Sequence, residues 1–283
     1  MTNDSPDKAE RARREREQYN EGLQRETYEN RLSHCEGFTS REKWEKLVAL
    51  MEISRGKEVL ELGSTTWHNW LDEQKIYPKS LDCINISEAE LEEGHQLAKK
   101  GTIRPNFHQM DAQSLDFPEN SFDVVFGSAI LHHVDLEATC QEIVRVLRPG
   151  GNFVFYEPLD INPVARVVRA LTPRARTVDE RPFRFADLRL LRKYLCYQFE
   201  AYELFSVPVG YLSGRLFKNP INLLTIGSQI VDDLIKILCP PAQYLYRNII
   251  LHGVNLKPQE EASSSSTVKE LSSEEGSKRE SAA

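Results

Sequence analysis

The chain has 283 residues, 40% hydrophobic and 28% charged, a globular composition long enough for one large domain with additions. Its formal net charge of −7 argues against a nucleic-acid partner held through a broad basic face. Five scattered cysteines (Cys35, Cys83, Cys140, Cys196, Cys239) form no C-x-x-C pair, so they read as reduced and structural, with no metal site expected.

Residues 1–17 are almost all charged or small and are expected to be disordered or a loosely solvated helix. They lack the apolar core of a signal peptide, and no apolar run reaches the ~18 residues of a spanning helix, so a cytoplasmic location is expected. Residues 18–54 read as a helical cap. Leu23, Tyr28 and Leu32 recur at rough helical spacing, and Trp44, Leu47, Val48 and Met51 mark one face of a clearer helix over 41–53.

Strand and helix signals then alternate over 55–257. EVLEL (58–62) reads as a strand, HNWLDEQ as a short helix and SLDCINI (80–86) as a second strand. SEAELEEGHQLAKK (87–100) reads as a helix with Ser87 and Glu90 in capping-box spacing. NFHQM (106–110) and FDVVFG (122–127) are further strands, LEATCQEIVRVL (136–147) is an amphipathic helix stopped at Arg148-Pro149-Gly150-Gly151, and NFVFYEP (152–158) is the fifth strand. QFEAYELFSV (198–207) and YRNIILHGVNL (246–256) read as the last two. The tail 258–283 is rich in Ser and Glu and is expected to be disordered. This alternation predicts an α/β fold, a mostly parallel doubly wound sheet of seven strands with an N-terminal helical cap and a helical insertion before the last strand.

Ligands of such sheets sit at the carboxyl ends of the strands. That rule singles out Gly63, Asn85, Asp111, the stretch Ser128 to His133, and Glu157. The series "VLELG … INIS … MDAQSLDFPENSFDVVFGSAILHHV … EIVRVLRPGGNFVFYEP" resembles the class I S-adenosylmethionine-dependent methyltransferases, and among them the ubiquinone/menaquinone C-methyltransferase-like (type 11) group. The resemblance covers roughly residues 57–160 and is strongest from Asp111 to Pro158. It implies S-adenosyl-L-methionine as cofactor. Asp111, followed by Ala112, matches the acidic residue that accepts from the adenine amino group. Gly63 matches the glycine that lets backbone approach the cofactor, and Glu61 the acidic residue near its methionine end. Asn85 and Ile86 stand at the ribose position, and Ser128 ends the fourth strand.

Two departures stand out. Thr65 and Trp67 occupy the positions of later glycines, and Asn85 replaces an acid. The cofactor has no pyrophosphate, so its loop need not form an anion cradle. The hydroxyls of Ser64, Thr65 and Thr66 are expected to serve its amino-acid end, one of them capping the helix that follows. Asn85 retains hydrogen-bonding capacity but loses charge assistance, roughly 1 kcal/mol. Methyl transfer then needs alignment and a base, for which His132 and His133 are the candidates. Either of them reads equally as structural. The Asn-Pro-Pro-Tyr type motif of amine and base methylases is absent.

After Pro158 the pattern fades, and substrate-side insertions are expected at 160–197 and 208–245. The first holds Arg166, Arg169, Arg174, Arg176, Arg181 and Arg184, which read as a solvated face paired with Asp179, Glu180 and Asp187 or as a mouth for an anionic substrate. Arg166, Arg169 and Tyr211 are the substrate-side candidates. INLLTIGSQIVDDLIKIL (221–238) reads as an apolar helix, either buried against the sheet or forming a lid or membrane-resting face. The expected activity is O- or C-methylation of a small or lipid-like acceptor. The partner is a small or amphiphilic molecule and no nucleic acid, with peripheral membrane contact open and the oligomeric state undetermined. The competing reading is a non-methylating descendant of the fold that binds a ligand or a partner, or uses the cofactor only as a scaffold.

Overall fold

The computed structural model describes residues 10, 13–17, 20, 41–160, 162, 182–206, 208–209, 213 and 223–256. Its strands are β1 (Glu58–Leu62), β2 (Ser80–Asn85), β3 (Asn106–Gln109), β4 (Phe122–Ser128), β5 (Leu147–Pro158), β6 (Cys196–Tyr202) and β7 (Asn248–Val254). The helices are α1 (Arg41–Met51), α2 (Glu88–Lys100), α3 (Leu136–Val146), α4 (Phe185–Tyr194) and α5 (Leu223–Leu238).

The seven strands form one sheet in the order β3-β2-β1-β4-β5-β7-β6. β1 to β5 pair in parallel, while β7 runs antiparallel to both of its neighbours. β6 therefore points the same way as β5, and Leu62, Asn85, Gln109, Ser128, Pro158 and Tyr202 all end at one side of the molecule. The loops that carry the candidate residues are thus gathered there.

Period-two alternation divides the core. Phe153 and Phe155 of β5 join the layer beneath α3 and α4, with Leu60, Leu62, Ile143 and Leu191. Val154 faces the opposite layer, with Leu47 and Met51 of α1 and the buried rings of Trp67 and Trp70. α3 begins where the Asp135 carboxylate accepts from Ala138 N–H at 2.9 Å.

Several element boundaries and one helix type differ from the sequence reading. β5 starts at Leu147 rather than 152, because Gly150 and Gly151 exchange backbone bonds with Asn255 and continue the pairing past the turn. β6 ends at Tyr202 because Glu203 adopts a left-handed conformation with φ +70°. Residues His68–Asp72 form a π-helical turn, and Asp72 accepts from the backbone of Thr102 and Ile103, tying it to the end of α2. Among the described residues Cys83, Cys140, Cys196 and Cys239 are free thiols.

Candidate active site

The loop after β1 is built by a buried carboxylate. Glu61 is fully buried, accepting from Thr66 N–H at 2.8 Å, from Trp67 N–H at 3.3 Å and from the Cys83 thiol at 3.3 Å. Burial pushes its pKa up to about 7, against the lowering effect of these donors. Glu61 thus caps the turn that the loop hydroxyls were expected to cap. The Ser64 hydroxyl instead donates to Glu90 O at 2.9 Å in α2. Gly63 has φ +132°, and a Cβ there would lie 3.2 Å from Glu61 Oε1.

Of the two residues in place of the missing glycines, Trp67 is turned away from the loop surface. Trp67 turns its indole into the core beside Leu47, Met51 and Trp70, and its Nε1 donates back to Ser64 O at 3.1 Å. Gly94 of α2 closes the loop from the other side, since a Cβ there would meet Ser64 O at 2.4 Å. Sequence reading missed Gly94, although a glycine inside an amphipathic helix is its visible signal.

Asn85 ends β2 with its amide bridging two elements: Nδ2 donates to Ser64 Oγ at 3.2 Å and Oδ1 accepts from Ser87 N–H at 2.9 Å. The capping box expected at Ser87 and Glu90 is therefore half formed. Ser87 Oγ accepts from Glu90 N–H at 3.3 Å, while Asn85 takes the reciprocal place of the Glu90 side chain. Ile86 comes next, its carbonyl within 3.4 Å of Gln109 Nε2. Past β3, Asp111 accepts from Gln113 backbone N–H at 2.9 Å and from its side-chain amide at 3.1 Å, and Ala112 is buried. Gly63, Asn85 and Asp111 thus stand in line across three adjacent strand ends. Gly63 and Asn85 keep capacity for a nucleoside and an amino-acid group, and Trp67 does not fill the space, so the residues present fit the cofactor the fold implies.

Beyond Ser128 the chain turns sharply. Ala129 has φ +54°, a conformation rare outside glycine, and its N–H reaches Tyr156 O at 2.8 Å. Glu157, fully buried at the end of β5, organises residues 130–132. It accepts from Ile130 N–H at 3.0 Å and Leu131 N–H at 2.8 Å, and its other oxygen meets His132 Nδ1 at 2.7 Å. Burial pushes the Glu157 pKa up to about 7 even though the backbone donors favour its ionised form. The His132 and His133 rings lie 4.1 Å apart, and His133 Nδ1 is 3.2 Å from Glu15 Oε2.

Glu15 belongs to the stretch expected to be disordered or a loosely solvated helix. Residues 13–17 are helical, and Glu15 is buried rather than solvated, its carboxylate 3.2 Å from His133 Nδ1. Arg16 pairs with Glu88 at 3.1 Å, and Asn20 Oδ1 accepts from the Ser87 hydroxyl at 2.7 Å. This segment thus connects the loop after β4 with the start of α2, across the loop after β1. Tyr19, Arg25 and Tyr28 lie outside the described residues, as do Arg166, Arg169 and Tyr211. Arg184 is described and sits 3.6 Å from Asp160, as a paired surface charge. A recess of about 230 Å³ lined by Lys57, Asp123, Arg148 and Gly150 lies at the opposite end of the strands, and Arg148 there is held by Glu58 and Asp123.

Residues 60–155 match the family model described as a methyltransferase domain. The chain is 32% identical over 114 residues to the sterol 24-C-methyltransferase of Aspergillus fumigatus, covering 39% of this chain and 30% of that protein. It is 31% identical over 134 residues to the demethylmenaquinone methyltransferase of Symbiobacterium thermophilum, covering 45% and 53%. The chain thus spans about a third to a half of the length of these relatives. Among solved structures, geranyl diphosphate methyltransferase in complex with its substrate and sinefungin superposes with a TM-score of 0.53 at 14% identity, covering 76% of this chain and 77% of that one. The N-methyltransferase NodS of Bradyrhizobium japonicum in complex with S-adenosyl-L-homocysteine gives 0.50 at 14% identity, covering 84% and 98%. Strand order and the matched segment agree: residues 60–155 match a methyltransferase domain, set in the seven-stranded fold that the chain shares with these solved structures.

Proposed function

We propose that this chain binds S-adenosylmethionine across Gly63, Ser64, Asn85 and Asp111 and transfers its methyl group to an oxygen or carbon of a small, amphiphilic acceptor. The observation that carries the reading is the Glu157–His132 pair, a buried imidazole held by a carboxylate beside the cofactor loop. The sulfonium supplies an activated methyl group. The chain's own residues hold the cofactor in line with the acceptor and remove the acceptor proton. With Glu157 accepting at Nδ1, His132 is fixed in the tautomer whose Nε2 carries the lone pair, so Nε2 is the atom that takes the proton. Asp111 receives the adenine amino group, and Asn85 shares the ribose hydroxyls with its remaining donor and lone pair. The relatives that act on a sterol or a demethylmenaquinone support an apolar ring acceptor.

One observation favours a second reading, a binding protein of the same fold. Both polar ends of Asn85 are engaged within the protein, which weakens the grip on a ribose. Calorimetric titration with S-adenosylmethionine and its demethylated product separates the two. Micromolar binding that Asp111→Ala weakens at least tenfold is the expected result, and no binding at millimolar cofactor overturns the proposal. His132→Ala is expected to keep cofactor affinity while lowering methyl transfer by about 10²–10⁴-fold. Loss of both together would remove His132 from the role of base.

A further inference from the structure

Helix α5 is mounted inside out. Asp232, 3% exposed at mid-helix, accepts from the backbone N–H groups of Leu204, Phe205 and Ser206 at 3.1, 2.8 and 3.1 Å. Lys236 sits 4.3 Å over the Tyr202 ring, and the Tyr246 hydroxyl donates to Asp232 O. The polar stripe of the helix is thus fastened to the end of β6 and the approach to β7. Its apolar stripe faces outward: Leu223, Ile230, Leu234, Ile237 and Leu238 are between 49% and 86% exposed. At about 100° per residue the exposed aliphatic side chains span an arc of about 160° without a charged residue. An amphipathic helix ordinarily turns such a stripe to the core, and an outward patch of this kind marks a contact.

We propose that this face docks on an anionic lipid surface. Two observations select that occupant. First, sixteen residues make a helix about 24 Å long, and a stripe roughly 10 Å wide gives a footprint of ~250 Å². A stable dimer buries about 800 Å² per partner, whereas an interfacial helix needs only one such face. Second, the chain is acidic overall at −7, yet the sequence segments that follow β5 and precede α5 are basic. Residues 161–181, which follow β5 in the sequence, contain five arginines against Asp179 and Glu180, and residues 207–222, which precede α5, contain Arg215 and Lys218 and no acid. Basic segments that adjoin an apolar helix in sequence are complementary in charge to anionic headgroups. The insertion bearing α5 springs from the strand ends that also carry Ser128 and Pro158. Docking therefore brings the acceptor side of the protein to the bilayer.

The test is co-sedimentation of the full chain with phosphatidylcholine vesicles, with and without phosphatidylglycerol. The wild type is expected to pellet with anionic vesicles and to release as salt is raised. Ile230→Asp with Leu234→Asp is expected to lower partitioning at least tenfold with unchanged thermal melting. Ile237→Ser with Leu238→Ser, at the most exposed end, repeats the test should the first pair fail to fold. Absence of vesicle binding by the wild type overturns the proposal. A dimer in sedimentation equilibrium that these substitutions dissolve, without vesicle binding, also overturns it and assigns the face to a second copy. Cofactor titration of the same samples keeps this outcome separate from the methyl-transfer reading.

Discussion

The two halves of the sheet treat their carboxylates in the same way and their surfaces in opposite ways. Around β1, β4 and β5, Glu61 and Glu157 are drawn inside to hold backbone N–H groups of loops, and the surrounding strands bury aliphatic and aromatic residues in the usual manner. Around β6 and β7, Asp232 is likewise drawn inside to hold three backbone N–H groups, but the helix that carries it then presents its apolar side outward. The same device, a buried acid as a loop clamp, orders strand-end loops in one half and inverts a helix in the other. A second clamp in the outer half joins α1 to the sheet. Glu203, at φ +70°, receives Lys43 at 2.7 Å, Arg247 at 3.0 Å and Asn248 at 2.7 Å.

The largest break in this comparison is Glu61→Ala. Two backbone N–H groups and a thiol lose their buried acceptor, which is expected to cost about 3 kcal/mol and at least tenfold in cofactor affinity. Urea unfolding and calorimetry read the two effects separately. Next comes pH. Glu61 and Glu157 both have pKa values raised from 4.5 to about 7, so the native state holds protons that the unfolded chain releases. Stability is therefore expected to fall as pH rises from 4.5 to 7, by on the order of 2–3 kcal/mol for each group. Melting scans of the wild type beside Glu157→Gln check this, since the variant should show a shallower slope over that window.

A smaller effect belongs to the outer half. Asp232→Ala is expected to cost about 2 kcal/mol through the freed N–H groups of 204–206, while cofactor affinity stays constant. A parallel loss of affinity would show that the halves are one energetic unit. The smallest is Asn85→Asp, which restores charge at the ribose position. The Ser64 hydroxyl can turn to donate to the new carboxylate, and affinity is expected to rise several-fold, about 1 kcal/mol. An unchanged dissociation constant would mean that Asn85 serves the loop and not the ligand.

From the sequence by itself came the α/β alternation, the helix start at Ser87, and the strand-end rule that placed Gly63, Asn85, Asp111 and His132 on one side. Each rests on local periodicity or on a short motif, which neighbours in the chain suffice to set. The partners of Glu61, Glu157 and Glu15 were not legible in this way, because they lie on other elements, 25 residues away for Glu157 and His132. The direction in which Trp67 points is of the same kind, since only the packing of α1 against β1 makes a core pocket for its ring. The amphipathic pattern of α5 was plain, but a pattern states only that a helix has two faces. Which face meets the protein was decided by three backbone N–H groups at 204–206 that needed an acceptor and found Asp232.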